Sequence, residues 1–196
     1  MNVVLTFATV KFSLALKKAE ALPSERLPKL DVEKWIWTDA DFEKMGWHDN
    51  KLHGIARYEK VDRDEEEGSE GHFSPIELLL DIDYILKWVT SEPRWQWWVA
   101  PSTLVFDNVH DFEMKWGPGF RWEISDIVRE PAKYPSGRDC WKWEIYGTGI
   151  VFLAEGYKQY IRRKPVLMQF QYLTWEERGD PSFSKQTAER EEQPRG

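Results

Sequence analysis

The stretch PIELLLDIDYILKWV, residues 75–89, constrains the fold more than any other part of the chain. Ile76, Leu78, Leu80, Ile82, Tyr84, Leu86 and Trp88 recur at every second position. A period of two sustained over that length marks a strand with one buried face. The alternate positions carry Glu77, Leu79, Asp81, Asp83, Ile85 and Lys87, a mixed face. Wound as a helix, the same residues would scatter Asp81, Asp83 and Lys87 around an apolar cylinder. A long strand is the expectation, and the rest of the chain must supply its neighbours.

Other segments read the same way. WQWWVAPSTLVFDNV predicts two strands broken at Pro101, because proline cannot donate to a ladder. DFEMKW extends the second of these towards the GPG turn at 117–119, and a further strand runs from about Asn50 to Tyr58. FRWEISDIVRE reads as strand or loop. CWKWEIYGTGIVFLAEGYKQYIRRK predicts a hairpin closed around Gly147 and Gly149, with a kink at Gly156. Two short helical turns are expected. One is TDADFEKMG, with Thr38 as cap, Asp39 and Asp41 at its positive end and Gly46 at its exit. The other is TWEERG, capped by Thr174 and stopped by Gly179.

There is no repeat and no long helical pattern. The fold class is mainly β (a β-rich α+β chain): an antiparallel sandwich or open barrel of six to nine strands with one or two short helices. Residues 1–30 read as an N-terminal extension or linker, 31–179 as a single β-rich domain, and 180–196 as a polar, disordered tail.

Composition narrows the function classes. A formal net charge of −7 argues against nonspecific nucleic-acid binding, which depends on neutralising phosphates. It argues equally against adhesion to an anionic membrane. The single cysteine, Cys140, excludes an internal disulfide and fits a reducing compartment. The apolar opening lacks a positive residue before its hydrophobic part and is interrupted by Lys11, unlike a secretory signal. A cytoplasmic protein is expected. No P-loop, G-x-G-x-x-G, C-x-x-C or G-x-S-x-G occurs, so no cofactor is read from the sequence.

Several residue groups could carry chemistry. MGWHDNKLHGIARYEK holds His48, Asp49 and His53 within six positions. On a strand the two histidines face opposite ways, and Asp49 and His53 stand roughly 14 Å apart. A metal built from this segment alone would need helix geometry or a bulge between Asp49 and His53. Asp81 and Asp83 share a face, roughly 7 Å apart. That spacing suits a metal or a pair of hydrolytic carboxylates, and it also suits an ion-paired sheet face. His53 joins Asp81 or Asp83 if their strands are neighbours. Any metal site would draw on His48, His53, Asp81 and Asp83. Twelve tryptophans include the same-face pairs Trp35 with Trp37, Trp95 with Trp97, and Trp141 with Trp143. Such pairs serve as packing or as a platform for a sugar. Lys158, Tyr160, Arg162 and Lys164 share one face of a basic stretch, suited to an acidic partner or a phosphate, or to edge protection. The acidic run at 62–71 reads as a solvated hairpin loop.

DADFEKMGWHDNKLHGIA, ELLLDIDYILKWV, APSTLVFDNV and GYKQYIRRKP resemble, in that order, an uncharacterised family of mostly bacterial proteins. The likeness spans about residues 39–165 and rests on Trp47, His48, Asp49 and His53, Leu80 to Tyr84, Pro101, Thr103, Leu104, Phe106 and Asn108, then Lys158, Gln159 and Tyr160. It implies one coherent domain and no particular reaction. The W-H-D start is also similar to some small immunity proteins of bacterial toxin systems.

The first functional reading is a non-enzymatic β-rich module that binds a protein partner or a small ligand through His53, Asp81, Asp83, Trp95, Trp97, Trp141 and Trp143, with Lys158, Tyr160, Arg162 and Lys164 as the partner-facing set. The alternatives are a metal-assisted hydrolase using His48, His53, Asp81 and Asp83, and a carbohydrate-binding domain using the tryptophan pairs.

Overall fold

The computed structural model describes residues 30–59, 75–91, 94–115, 117 and 122–191. The N-terminal extension up to residue 29, the acidic run at 62–71, Pro118, Gly119 and residues 192–196 lie outside the described part. The described chain forms two antiparallel sheets. The larger contains β1 (Ile36–Thr38), β2 (Asn50–Glu59), β3 (Ile76–Ser91), β4 (Arg94–Asp107), β6 (Glu123–Ile124) and β10 (Gly156–Ile161). Its order is β1-β10-β4-β3-β2-β6, and β11 (Val166–Met168) pairs with β4 off that path. The smaller sheet is β5 (His110–Met114), β9 (Ile150–Ala154), β8 (Asp139–Tyr146) and β7 (Asp126–Lys133), in that order. This is the expected β-rich class. The described strands number eleven, above the expected six to nine, because β1, β6 and β11 are only two or three residues long.

Leu78, Leu80, Ile82 and Tyr84 of β3 face the smaller sheet, where they meet Trp143, Ile145, Ile150 and Phe152 in one core. Phe106 packs edge-on against Trp143 at 5.0 Å and Phe152 at 4.7 Å between ring centres. Edge-to-face contacts of this kind add to the burial of the rings themselves. Trp47 is buried in the same core, and its indole N–H donates to Gln159 Oε1 at 2.8 Å. Tyr84 is buried there too, and desolvation pushes its phenol up to about 12.

Three expectations change. β4 is one continuous strand through Pro101, with no break. Along that edge of β4, β10 ends opposite Ser102 and β11 begins opposite Val99. Pro101 occupies the gap between the two partners, where no ladder bond needs its missing N–H, and its carbonyl accepts from Arg162 N at 3.0 Å. Next, a bulge between Ile85 and Lys87 reverses the alternation of β3. Trp88 therefore lies opposite Trp97 on the outer face, away from the inner row that begins at Ile76. Finally, the tail from Asp180 folds back on the outer face of the larger sheet. Thr187 and Ala188 are buried, and Phe183 packs on Gly54. What the local composition could not reveal is a set of partners waiting on β2 and β3.

The turns follow their residues. Asp39–Lys44 is a 3-10 turn whose cap residue, Thr38, donates through both its N–H and its hydroxyl to Asp41 Oδ2. The Lys34 ammonium beside Asp41, followed by the Thr38 N–H, holds that carboxyl below its ordinary value. α1 (Trp175–Arg178) starts at Thr174, which bonds Glu177 reciprocally. Gly147, in the β8–β9 turn, has φ 89°, and a Cβ there would stand 2.3 Å from the Glu123 carbonyl oxygen. Only glycine fits. The Gly156 kink is where the chain leaves the smaller sheet and enters the larger one.

Candidate functional site

Asp81 and Asp83 project from the outer face of β3, and both are fully buried. Asp81 Oδ1 accepts from Arg162 and from Arg178 Nη2, and its Oδ2 accepts from the Ser182 N–H at 3.0 Å. Asp83 Oδ1 lies 2.9 Å from Arg178 Nε. Asp83 Oδ2 accepts from the Leu173 N–H at 3.0 Å and meets His53 Nε2 at 2.8 Å. His53 reaches it because β2 carries a bulge between Leu52 and Gly54, which leaves the histidine unopposed beside β3. Three of the four carboxylate oxygens thus accept hydrogen bonds or meet the His53 ring, while Asp83 Oδ1 has only the charge contact with Arg178. Burial pulls the Arg162 guanidinium below its ordinary basicity, and the Asp81 carboxylate works against that pull.

This arrangement is a clamp. Two carboxylates meet two guanidinium groups in a space without solvent, where unpaired charge is costly. The donors come from the end of β10 and from residues 173–182, so the cluster fastens the C-terminal segment to the sheet. Lys185 extends it by pairing with buried Glu77 at 2.5 Å. Ile85, Val99, Met168 and Leu173 form a small apolar cluster beside it.

The structure separates the members of the W-H-D stretch. The His48 side chain is largely exposed, with Nδ1 3.1 Å from the Ser125 carbonyl oxygen and 3.2 Å from Asp49 Oδ1. Asp49 has φ 63° and accepts from Gln171 at 2.7 Å. His48 therefore does not join His53, Asp81 and Asp83. Among the described residues, no three His, Cys, Asp or Glu side chains form a group that could hold a metal ion.

The other sequence candidates disperse. Arg162 turns inward to Asp81, whereas Lys158 stays on the surface 3.6 Å from Asp107. Tyr160 is half-buried and Lys164 exposed, so the four do not make one basic face. Trp143 is fully buried, and Trp141 lies under the Arg129 guanidinium, whose carbon is 4.2 Å from the ring centre. Trp35 and Trp37 pack on the core. Trp95 alone of these six is strongly exposed, at 56%. It meets Trp88 edge-on at 6.3 Å, Trp88 meets Trp97 at 5.8 Å, and His48 stacks on Trp88. These rings cover one another and leave only part of their surface to solvent.

An open space remains between the sheets. A cavity of about 380 Å³ is lined by Ile55, Ile76, Leu78, Val109 and Phe112, with Arg57, His110 and Asp111 also on its wall. Ile55 and Arg57 stand opposite Leu80 and Leu78 on the inner face of the larger sheet. The far wall comes from the β4–β5 crossover, held by a Val109 N–H bond to the Ile76 carbonyl at 2.8 Å. Asn108 (φ 55°) and Asp111 (φ 48°) bracket that crossover in the left-handed region. Tyr134 donates to the Asn108 carbonyl at 2.8 Å and packs on His110 at 4.8 Å.

Comparison with known protein families, with curated proteins and with solved structures finds no match for this chain. Sequence reading did not single out Arg178, Arg57 or His110. Arg178 sits in a capped turn with no local sign of its distant partners. Arg57 had a usable signal: a charge at the same parity as Ile55, on a strand flank that turns inward. No helix among the described residues is long and apolar enough to cross a membrane.

Proposed function

We propose that this protein is a non-enzymatic β-rich binding module, and that its ligand occupies the cavity beneath β2 and β3. The observation that carries the reading is a mostly apolar space of about 380 Å³ between two packed sheets, with Arg57 on one wall and His110 and Asp111 on the other. Concave, mostly apolar sites with a few placed polar groups are where small ligands bind. The Asp81–Asp83 cluster supports the same reading, because both carboxylates are buried and ion-paired to arginines that fasten the chain.

The test is titration with N-phenyl-1-naphthylamine, a neutral probe that brightens in apolar surroundings. Wild-type protein should bind it saturably, with one site per chain. Ile55→Trp, which puts an indole into the cavity, should keep the melting temperature within a few degrees and lose the binding. Non-saturable binding, or equal binding by the variant, would refute the proposal.

A further inference from the structure

We infer that the ligand of this cavity is an amphipathic carboxylate, gripped at its head by Arg57; the inference rests on the binding reading above. Arg57 is the anomaly of the inner face. Its neighbours there are the apolar Ile55 on its own strand and Leu78 and Leu80 across the ladder, with Glu59 the one charged residue next along the strand. A cation at such a position has no core role. Its side chain is 63% exposed, so the guanidinium stands at the mouth of the cavity while its stem joins the apolar wall. Its contact with Glu59 is 4.0 Å, the outer limit of an ion pair. That leaves the planar fork of donors able to take a carboxylate in two parallel bonds.

Asp111 sets the charge of the head. It lines the same cavity, and its carboxylate opposes a second negative charge near Arg57. The pair admits a single anionic group on an apolar body and disfavours a phosphate monoester, which carries nearly two charges. The protein as a whole is acidic, at −7, so long-range attraction does not draw anions to it. Selection falls to Arg57, with His110 as a further polar group on the cavity wall.

The experiment is displacement of bound N-phenyl-1-naphthylamine by three molecules of one chain length: decanoate, 1-decanol and decylamine. Decanoate should displace it at a concentration at least about tenfold lower than 1-decanol, the range expected for a charge-assisted hydrogen bond. Decylamine should be weakest. Arg57→Gln should bring decanoate to the level of 1-decanol, Arg57→Lys should keep part of the preference, and Asp111→Asn should tighten decanoate. Equal displacement by decanoate and 1-decanol would overturn the inference while leaving an apolar binding site in place. Preference for decylamine would overturn it as well. Absence of any probe binding would instead sink the binding reading on which it rests.

Discussion

Arg178→Met is the sharpest probe of the clamp on the outer face. The substitution keeps an unbranched stem of similar reach and removes one charge. Arg178 is 4% exposed and touches both buried carboxylates, at 2.5 Å to Asp81 and 2.9 Å to Asp83. Without it, two buried carboxylates face one guanidinium group, that of Arg162, and the His53 ring. Removing one partner of a buried pair costs about 3–5 kcal/mol, mostly because the remaining charge stays desolvated. Asp81 keeps Arg162 and the Ser182 N–H, and Asp83 keeps His53 and the Leu173 N–H. The loss should therefore fall near the lower figure, about 3 kcal/mol. For a chain of this size that lowers Tm by about 6–12 °C. Urea unfolding followed by tryptophan fluorescence measures it, provided the slope of the transition is unchanged. The double variant Asp81→Asn with Arg178→Met should lose clearly less than the sum of the singles, because the carboxylate that misses its partner is gone. A loss below about 1 kcal/mol for Arg178→Met would refute the argument, since it would mean that water reaches the cluster.

Deleting residues 181–196 should cost more than about 2 kcal/mol in the same urea assay, because it removes the Ser182 donor to Asp81, the Lys185 partner of Glu77 and the buried Thr187 and Ala188. A change under about 0.5 kcal/mol would show the segment to be dispensable. Ultraviolet titration should find a phenol that ionises near pH 12, and Tyr84→Phe should remove it. Its ordinary value is 10.0, so the folded state favours the neutral form, and the stability this contributes is full below pH 10 and lost as pH rises towards 12.

Local pattern made much of the fold legible. The alternation from Ile76 to Tyr84, the Gly147–Gly149 turn and the cap at Thr174 each depend on residues close in sequence, and each stands where it was read. The bulge at Leu86 and the long β4 were not legible, because both depend on what lies alongside. Pro101 breaks a ladder only if a partner needs its N–H, and the gap between β10 and β11 is invisible in the chain itself. The tail shows the same limit. Its polar composition suits solvent until Asp81, Glu77 and Gly54 are placed beneath it. For the site, Asp81 and Asp83 stood out by spacing, and His53 was tied to them through neighbouring strands. Arg162 was noticed as part of a basic face, yet its charge is spent inside the protein. Apart from the charge of Arg57 at an inward parity, the cavity had no signature, since its walls come from β2, β3 and the β4–β5 crossover, far apart in sequence.

The chain passes between the sheets three times within one or two residues: Asn108 and Val109, Ser125, and Glu155. Two of these crossings join neighbouring strands on one flank, β4 to β5 and β9 to β10, and the third joins β6 to β7 at the opposite edges. Short links at both flanks leave the sheets no hinge. They cannot swing apart to admit a ligand, so entry to the space between them falls to rotamer changes at its mouth, on the timescale of side chains. Nor can either sheet melt alone, because its loss would strand the ends of the other. Heat should take the domain apart in one step, with calorimetric and van't Hoff enthalpies equal.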